Sequence, residues 1–171
     1  LDFSGIKNFK LIGIDIDNKS INYAQKLAER YQLSAHVEFY QSDAWNQPFE
    51  NHFTLLTSNG LNVYEPDDDR VTALYRQLFK ALRLGGTLVT SCITPSPDTD
   101  PNSEWNLDVI DWDAMLQQKT LYSDILNFNP RGLRSSSVTK MQLSDAGFED
   151  FDLIWDEARI FPTIIAKKPR S

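Results

Sequence analysis

The chain has 171 residues, 41% of them hydrophobic and 24% charged, which is enough apolar material for one globular domain with a core and excludes a wholly disordered chain. Its net charge of −7 argues against broad electrostatic binding to nucleic acid phosphates or anionic lipid, because both need clustered Lys and Arg; neither a nucleic acid nor a membrane partner is expected. No apolar stretch reaches the roughly 20 residues of a membrane span, and no charged-then-apolar leader opens the chain, so the protein is expected to be soluble. The single cysteine, Cys92, cannot close an intramolecular disulfide and points to a cytoplasmic protein. Within TLVTSCI it reads as an inert core residue. The basic cluster Lys167, Lys168 and Arg170 reads as a solvated tail.

In chain order, KLIGID, residues 10–15, is a short buried strand, and Asn18–Tyr31 follows as a helix with Ile21, Ala24, Leu27, Ala28 and Tyr31 at helical spacing. Asp17 or Asn18 caps it. VEFYQSD, 37–43, alternates as a strand ending on Asp43, and FTLLTSN, 53–59, is a third strand. A helix over 68–84 carries Val71, Leu74, Tyr75, Leu78, Phe79 and Leu82, with Gly85 and Gly86 as its stop, and TLVTSCI, 87–93, is a fourth strand. Residues 94–134 break this rhythm with four prolines and several aromatics. They read as an insertion or cap with one helix near 112–118, packed on the domain or covering a cleft. A helix over 137–146 stops at Gly147, and 148–157 with 161–168 form a hairpin. Alternating strands and helices imply an α/β fold, a mostly parallel sheet covered on both faces, in a single domain spanning 1–171.

Ligands of open parallel sheets bind beyond the carboxyl ends of the strands. Three successive strands here end there in polar residues: Asp15 with Asp17, then Asp43, then Ser58 and Asn59. An acid in the position of Asp15 can accept both hydroxyls of a ribose, which suits an adenosine-containing cofactor, while Asp17 reads mainly as a helix cap. Asp43, followed by the small Ala44, can meet the exocyclic amine of an adenine.

The stretches GIDIDNKSINYAQKLAE, SDAWNQPF, LFKALRLGGTLV, LSDAGFEDF and IIAKKP, in this order and spacing, resemble the class I S-adenosylmethionine-dependent methyltransferases. That resemblance implies a three-layer Rossmann-like sandwich of seven strands whose last is antiparallel and forms a hairpin with its neighbour. It implies S-adenosylmethionine as cofactor, with Asp15 holding the ribose, Ile16 beside the adenine, Asp43 accepting the adenine amine, Ala44 donating its backbone N–H and Trp45 stacking nearby. Ser58, Asn59 and Gly60 would pass the methionine part and the acceptor, a small molecule. Tyr64, Glu65, Trp105, Trp112 and Tyr122 are the weaker acceptor-side candidates, whereas Asp67, Asp68 and Asp69 read as charge at a helix start.

No catalytic signature is present, and methyl transfer from a sulfonium needs positioning more than a general base. His36 and His52 have no metal-ligand neighbour at usable spacing, so no metal is expected. A short-chain oxidoreductase needs tyrosine and lysine four apart, but Tyr23 and Lys26 are three apart. The family's glycine-rich loop after its central first strand has no counterpart here. Since Leu1 is not a start methionine, an upstream segment is expected to carry strand, loop and helix, with LDFSGIKNF as the connection from it. Otherwise another subunit of a homo-oligomer has to fill the centre of the sheet. The alternative is a methyltransferase-like module that has lost cofactor binding and serves as an interaction domain.

Overall fold

The computed structural model describes residues 8–128 and 130–171 and divides into two compact units, Leu1–Pro48 and Phe49–Ser171. Most of the connecting role expected for LDFSGIKNF lies outside the described residues.

In the first unit β1 (Leu11–Asp15) and β2 (Val37–Gln41) pair in parallel, with α1 (Asn18–Arg30) as the crossover between them. The apolar run LIGID suits a covered strand, and at Gly13 a Cβ would lie 2.7 Å from the Phe39 ring, so glycine lets that ring cross β1. Asp17 is the cap of α1, its carboxylate accepting the Lys19 N–H at 2.9 Å. The expected apolar stripe is only half used: Ile21 and Ala28 are buried, whereas Leu27 and Tyr31 are exposed. A two-stranded sheet is too narrow to cover the whole stripe. β2 stops at Gln41 rather than at Asp43, because the Asp43 carboxylate turns back to cap a 3-10 turn at Ala44–Asn46.

The second unit holds β3 (Phe53–Ser58), α2 (Asp68–Ala81), β4 (Leu82–Ser91), α3 (Trp112–Lys119), α4 (Ser136–Asp145), β5 (Glu149–Ile154) and β6 (Thr163–Lys167). Its sheet runs β3-β4-β6-β5. β3 and β4 are parallel, and β6 is antiparallel to both of its neighbours, which confirms the C-terminal hairpin. The mostly parallel sheet expected from sequence is matched only in part. Of the four described ladders across the two units, two are parallel and two antiparallel. Val71, Leu74, Tyr75 and Leu78 of α2 pack with Leu88, Leu143, Phe148 and Ile164 in the core, all at most 5% exposed. Burying such side chains contributes roughly 1.5–3 kcal/mol each.

Two local expectations are corrected. The helix ends at Ala81, well before Gly85, and β4 begins at once with Leu82 extended at φ −75°, ψ 145°. Donors distant in sequence end it: Asn51 N–H bonds Lys80 O at 2.9 Å, His52 N–H bonds Ala81 O at 2.8 Å, and the Lys168 ammonium bonds Phe79 O and Leu82 O at 3.0 and 2.8 Å. Lys168 is therefore no solvated tail. It is 8% exposed, also bonds Asn51 Oδ1 at 3.1 Å and lies 4.6 Å from the Phe79 ring centre. Cations favour helix C-termini because the last carbonyls lack partners.

In the insertion, α3 lies where the sequence places it and continues as a wider π-helical run, Thr120–Ile125. Trp112, Leu116, Tyr122 and Ile125 remain exposed. Among the described residues no helix is long and apolar enough to cross a membrane.

Candidate functional site

In the first unit, the register sets Asp15 opposite Gln41 at the carboxyl end of the parallel pair, and Asp43 follows two residues beyond the same edge. The Ser42 N–H donates to Asp15 O at 3.0 Å and the Gln41 amide donates to Ile16 O at 3.1 Å, which ties the two strand ends together. The two acids are built alike. Asp15 Oδ1 accepts the Asp17 N–H at 2.8 Å, and Asp43 Oδ1 accepts the Trp45 N–H at 3.0 Å. Each carboxylate is thereby oriented through one oxygen, and its second oxygen has no protein partner among the described residues. Ile16 beside them is 70% exposed, and Ala44 and Trp45 are half-buried. The structure thus brings Asp15, Ile16, Asp43, Ala44 and Trp45 to one edge.

These groups fit an adenosine. The half-buried Asp15 carboxylate, with one oxygen unpaired among the described residues, is an acceptor for ribose hydroxyls, and the exposed Asp43 carboxylate past the next strand is an acceptor for an exocyclic amine.

In the second unit, Ser58, Asn59 and Gly60 follow the corresponding edge of β3. Ser58 is buried, its carbonyl accepting from Thr90 Oγ1 at 2.8 Å, and the Asn59 amide oxygen accepts from Ser91 Oγ. Gly60 has φ +89°, a left-handed turn that glycine adopts without strain. The turn leads into the 3-10 segment Leu61–Tyr64, where Tyr64 is exposed.

Two residues here escaped the sequence reading. Asn62, 2% exposed, donates its amide to Tyr75 Oη at 3.0 Å and Ser91 O at 2.9 Å. Arg134, 5% exposed, bonds Asn62 O, Glu65 O and Gly132 O at 2.9–3.0 Å and Asp68 Oδ1 at 2.6 Å. The turn after β3 is thus gripped by a guanidinium that starts 69 positions away from Glu65. The only signal in sequence was the pair of polar residues in SNGLN; nothing local points to Arg134.

Several candidates acquire structural roles. Glu65 is paired with Arg70 at 2.6 Å, which holds its carboxyl below the ordinary glutamate range, and it also accepts the Asp67 N–H at 3.1 Å. It is therefore anchored rather than free to take a proton. Asp67 caps α2 through the Asp69 and Arg70 N–H groups, as expected. The Trp105 indole N–H donates to Thr94 O at 3.1 Å, and neighbouring Asn106 bonds Ala158 O and Glu157 O, so Trp105 is tied to the frame. Trp112 on α3 is exposed. Among the described residues no group of three or more His, Cys, Asp or Glu is placed to hold a metal.

Cys92 is buried, and burial pushes its thiol up to about 11. Because the thiolate is the reactive form, iodoacetamide at pH 8 is expected to leave the folded protein unlabelled and to label it fully in urea. Mass spectrometry of the intact chain reads both; rapid labelling without urea would contradict the burial.

Residues 3–86 match the family model described as a methyltransferase domain. Over 99% of its length the chain matches a solved structure described as a possible exported protein from Bordetella parapertussis, at TM-score 0.90 and 42% identity, covering 56% of that chain. It matches an O-methyltransferase family 2 protein from Planctomyces limnophilus, solved with apigenin, at TM-score 0.68 and 18% identity over 97% of this chain and 45% of that one. It also matches the N-methyltransferase NodS from Bradyrhizobium japonicum, solved with S-adenosylhomocysteine, at TM-score 0.60 and 13% identity over 94% of this chain and 67% of that one. At these low identities the last two likenesses concern the fold alone. The chain spans about half the length of the first two of these proteins. No curated protein matches the sequence.

Proposed function

We infer, for a chain that belongs to the fold family of the class I S-adenosylmethionine-dependent methyltransferases, that it transfers a methyl group from S-adenosylmethionine to a small-molecule acceptor. The observation that carries this reading is the matched pair Asp15 and Asp43, each oriented through one oxygen by a backbone N–H two residues on and each keeping its other oxygen free of protein partners among the described residues.

When bound, the cofactor would supply a methyl group activated for displacement by its sulfonium sulfur. The chain's own part is to hold and align. Asp15 would accept the ribose hydroxyls and Asp43 the adenine amine, with Ile16 and Trp45 as apolar neighbours of the base. In the second unit, Ser58, Asn59 and Gly60, with Tyr64 after them in sequence, are the residues that the family resemblance assigns to the acceptor side. Alignment of this kind can supply a large share of the rate for an in-line displacement with an activated leaving group. An acceptor proton released late needs only water, which agrees with a Glu65 carboxylate committed to Arg70. The lone buried cysteine suits a reducing, cytoplasmic setting.

Calorimetric titration of the full-length protein with S-adenosylmethionine and S-adenosylhomocysteine tests the reading. Saturable binding of both is expected. Binding of neither would overturn it and return the chain to the interaction-module alternative.

A further inference from the structure

Besides its ties through Asn106 and Arg134, the insertion meets the turn after β3 at a place that is aromatic. The Val63 carbonyl accepts two N–H groups, from Arg131 and Gly132, both at 2.9 Å, which joins the turn after β3 to the returning end of the insertion. Gly132 has no room for a side chain there: a Cβ would lie 2.4 Å from Glu65 O and 2.6 Å from Asn62 O. Just before this junction, the Phe128 N–H bonds Tyr122 O at 2.7 Å. The Phe128 ring then meets the Tyr64 ring at 5.7 Å between centres and 87° between planes, and the Tyr122 ring at 6.1 Å and 66°.

Simple packing would bury such a cluster. Instead Tyr64 is 57% and Tyr122 48% exposed, and neither hydroxyl has a hydrogen-bond partner among the described residues. Edge-to-face contact uses an edge of one ring and a face of the other, so free aromatic surface remains on a frame that Arg134 and the Val63 carbonyl hold still.

We propose that Tyr64, Tyr122 and Phe128 form an acceptor subsite selecting a planar aromatic ring that carries a hydroxyl group. The acceptor role rests on the methyl-transfer reading, which assigns the acceptor side to Ser58, Asn59 and Gly60 of the same unit; the ring selectivity rests on the three side chains alone. A planar ring gains ring–ring contact in addition to buried area, whereas a saturated ring of equal size gains area only, a difference of roughly three- to ten-fold for one well-placed pair. The ligand's hydroxyl would find the two phenols as partners.

The test compares 2-naphthol with trans-decahydro-2-naphthol by ligand-observed NMR on the full-length protein, with S-adenosylhomocysteine titrated calorimetrically in parallel. We expect 2-naphthol to bind at least five-fold more tightly than its saturated analogue. Tyr64→Leu and Phe128→Leu should each weaken it at least three-fold while S-adenosylhomocysteine affinity stays within two-fold. Equal binding of the two alcohols, no binding of 2-naphthol, or leucine variants that bind it as well as the parent would overturn the subsite. The wild-type comparison decides even where a variant fails to fold. Ring-selective binding at Tyr64 without any S-adenosylhomocysteine binding would overturn the acceptor role and the methyl-transfer reading together, whereas the reverse pattern would overturn the subsite alone.

Discussion

Replacing Arg134 with alanine is expected to destabilise the protein by about 3 kcal/mol, read as a lower urea midpoint of tryptophan fluorescence at unchanged slope. The guanidinium is nearly out of solvent and supplies donors to three main-chain carbonyls, Asn62 O, Gly132 O and Glu65 O, as well as to Asp68. A buried acceptor left without a donor costs about 1–3 kcal/mol. The total stays below a simple sum because the Asp68 side chain is 68% exposed and regains water when its partner goes. Arg134→Lys should fall between the two, since an ammonium keeps the charge but cannot reproduce a planar fork that reaches four acceptors. The damage should be local before it is global. Amide hydrogen exchange at Val63 through Glu65 and at Arg131 and Gly132 should accelerate in Arg134→Lys more than at the core strand β4. A loss under about 1 kcal/mol for the alanine variant would mean that the turn after β3 is held by its own hydrogen bonds.

That this residue went unread in the sequence, while much of the fold did not, has a physical cause. Period and local caps are visible in one dimension. Asp17 before α1, Asp67 before α2 and the stripe Val71, Leu74, Tyr75 and Leu78 are all set by neighbours within a turn or two, and each appears where expected. The end of α2 is not of this kind. Gly85 and Gly86 look like a helix stop, but the terminal carbonyls are taken by Asn51, His52 and Lys168, which come from before and after the helix in sequence. The same holds for the basic C-terminal cluster, where Lys168 reads as solvated only until the residues around it are known.

The candidate site divides along the same line. That Asp15 and Asp43 come to one edge was legible because a parallel sheet puts strand ends there, whatever the side chains do afterwards. Asp43 nevertheless lies past its strand rather than on it, since a carboxylate that caps the next turn pulls the chain out of the ladder. The aromatic group of Tyr64, Tyr122 and Phe128 was half legible. Tyr64 and Tyr122 stood out singly, but their common neighbour emerges only when the insertion folds back onto Val63. Trp105 shows the opposite error, for an aromatic in a proline-rich segment can serve the frame as well as a pocket.

The second large effect concerns the pair of acids at the end of β1. Asp15→Ala is expected to weaken S-adenosylhomocysteine binding by roughly 1.5–3 kcal/mol, about ten- to 150-fold, because hydrogen bonds to a charged group are worth that much when removed. Asp17→Ala is the matched control. Its carboxylate accepts the Lys19 N–H at 2.9 Å and lies 3.5 Å from Ser20 Oγ, so it stabilises α1 as a cap, and its loss should lower stability by about 1 kcal/mol. Cofactor affinity should stay within two-fold. Asp15 also has a structural bond, from the Asp17 N–H at 2.8 Å, so its alanine variant alone would confound two roles. Asp15→Asn separates them: the amide oxygen can still accept that N–H, while the charge that favours two ribose hydroxyls is gone. Near-parent stability with most of the affinity lost assigns Asp15 to the ligand. If Asp15→Asn binds like the parent, and Asp15→Ala loses only what Asp17→Ala loses, both acids serve the helix and Asp43 is left without a partner in recognition.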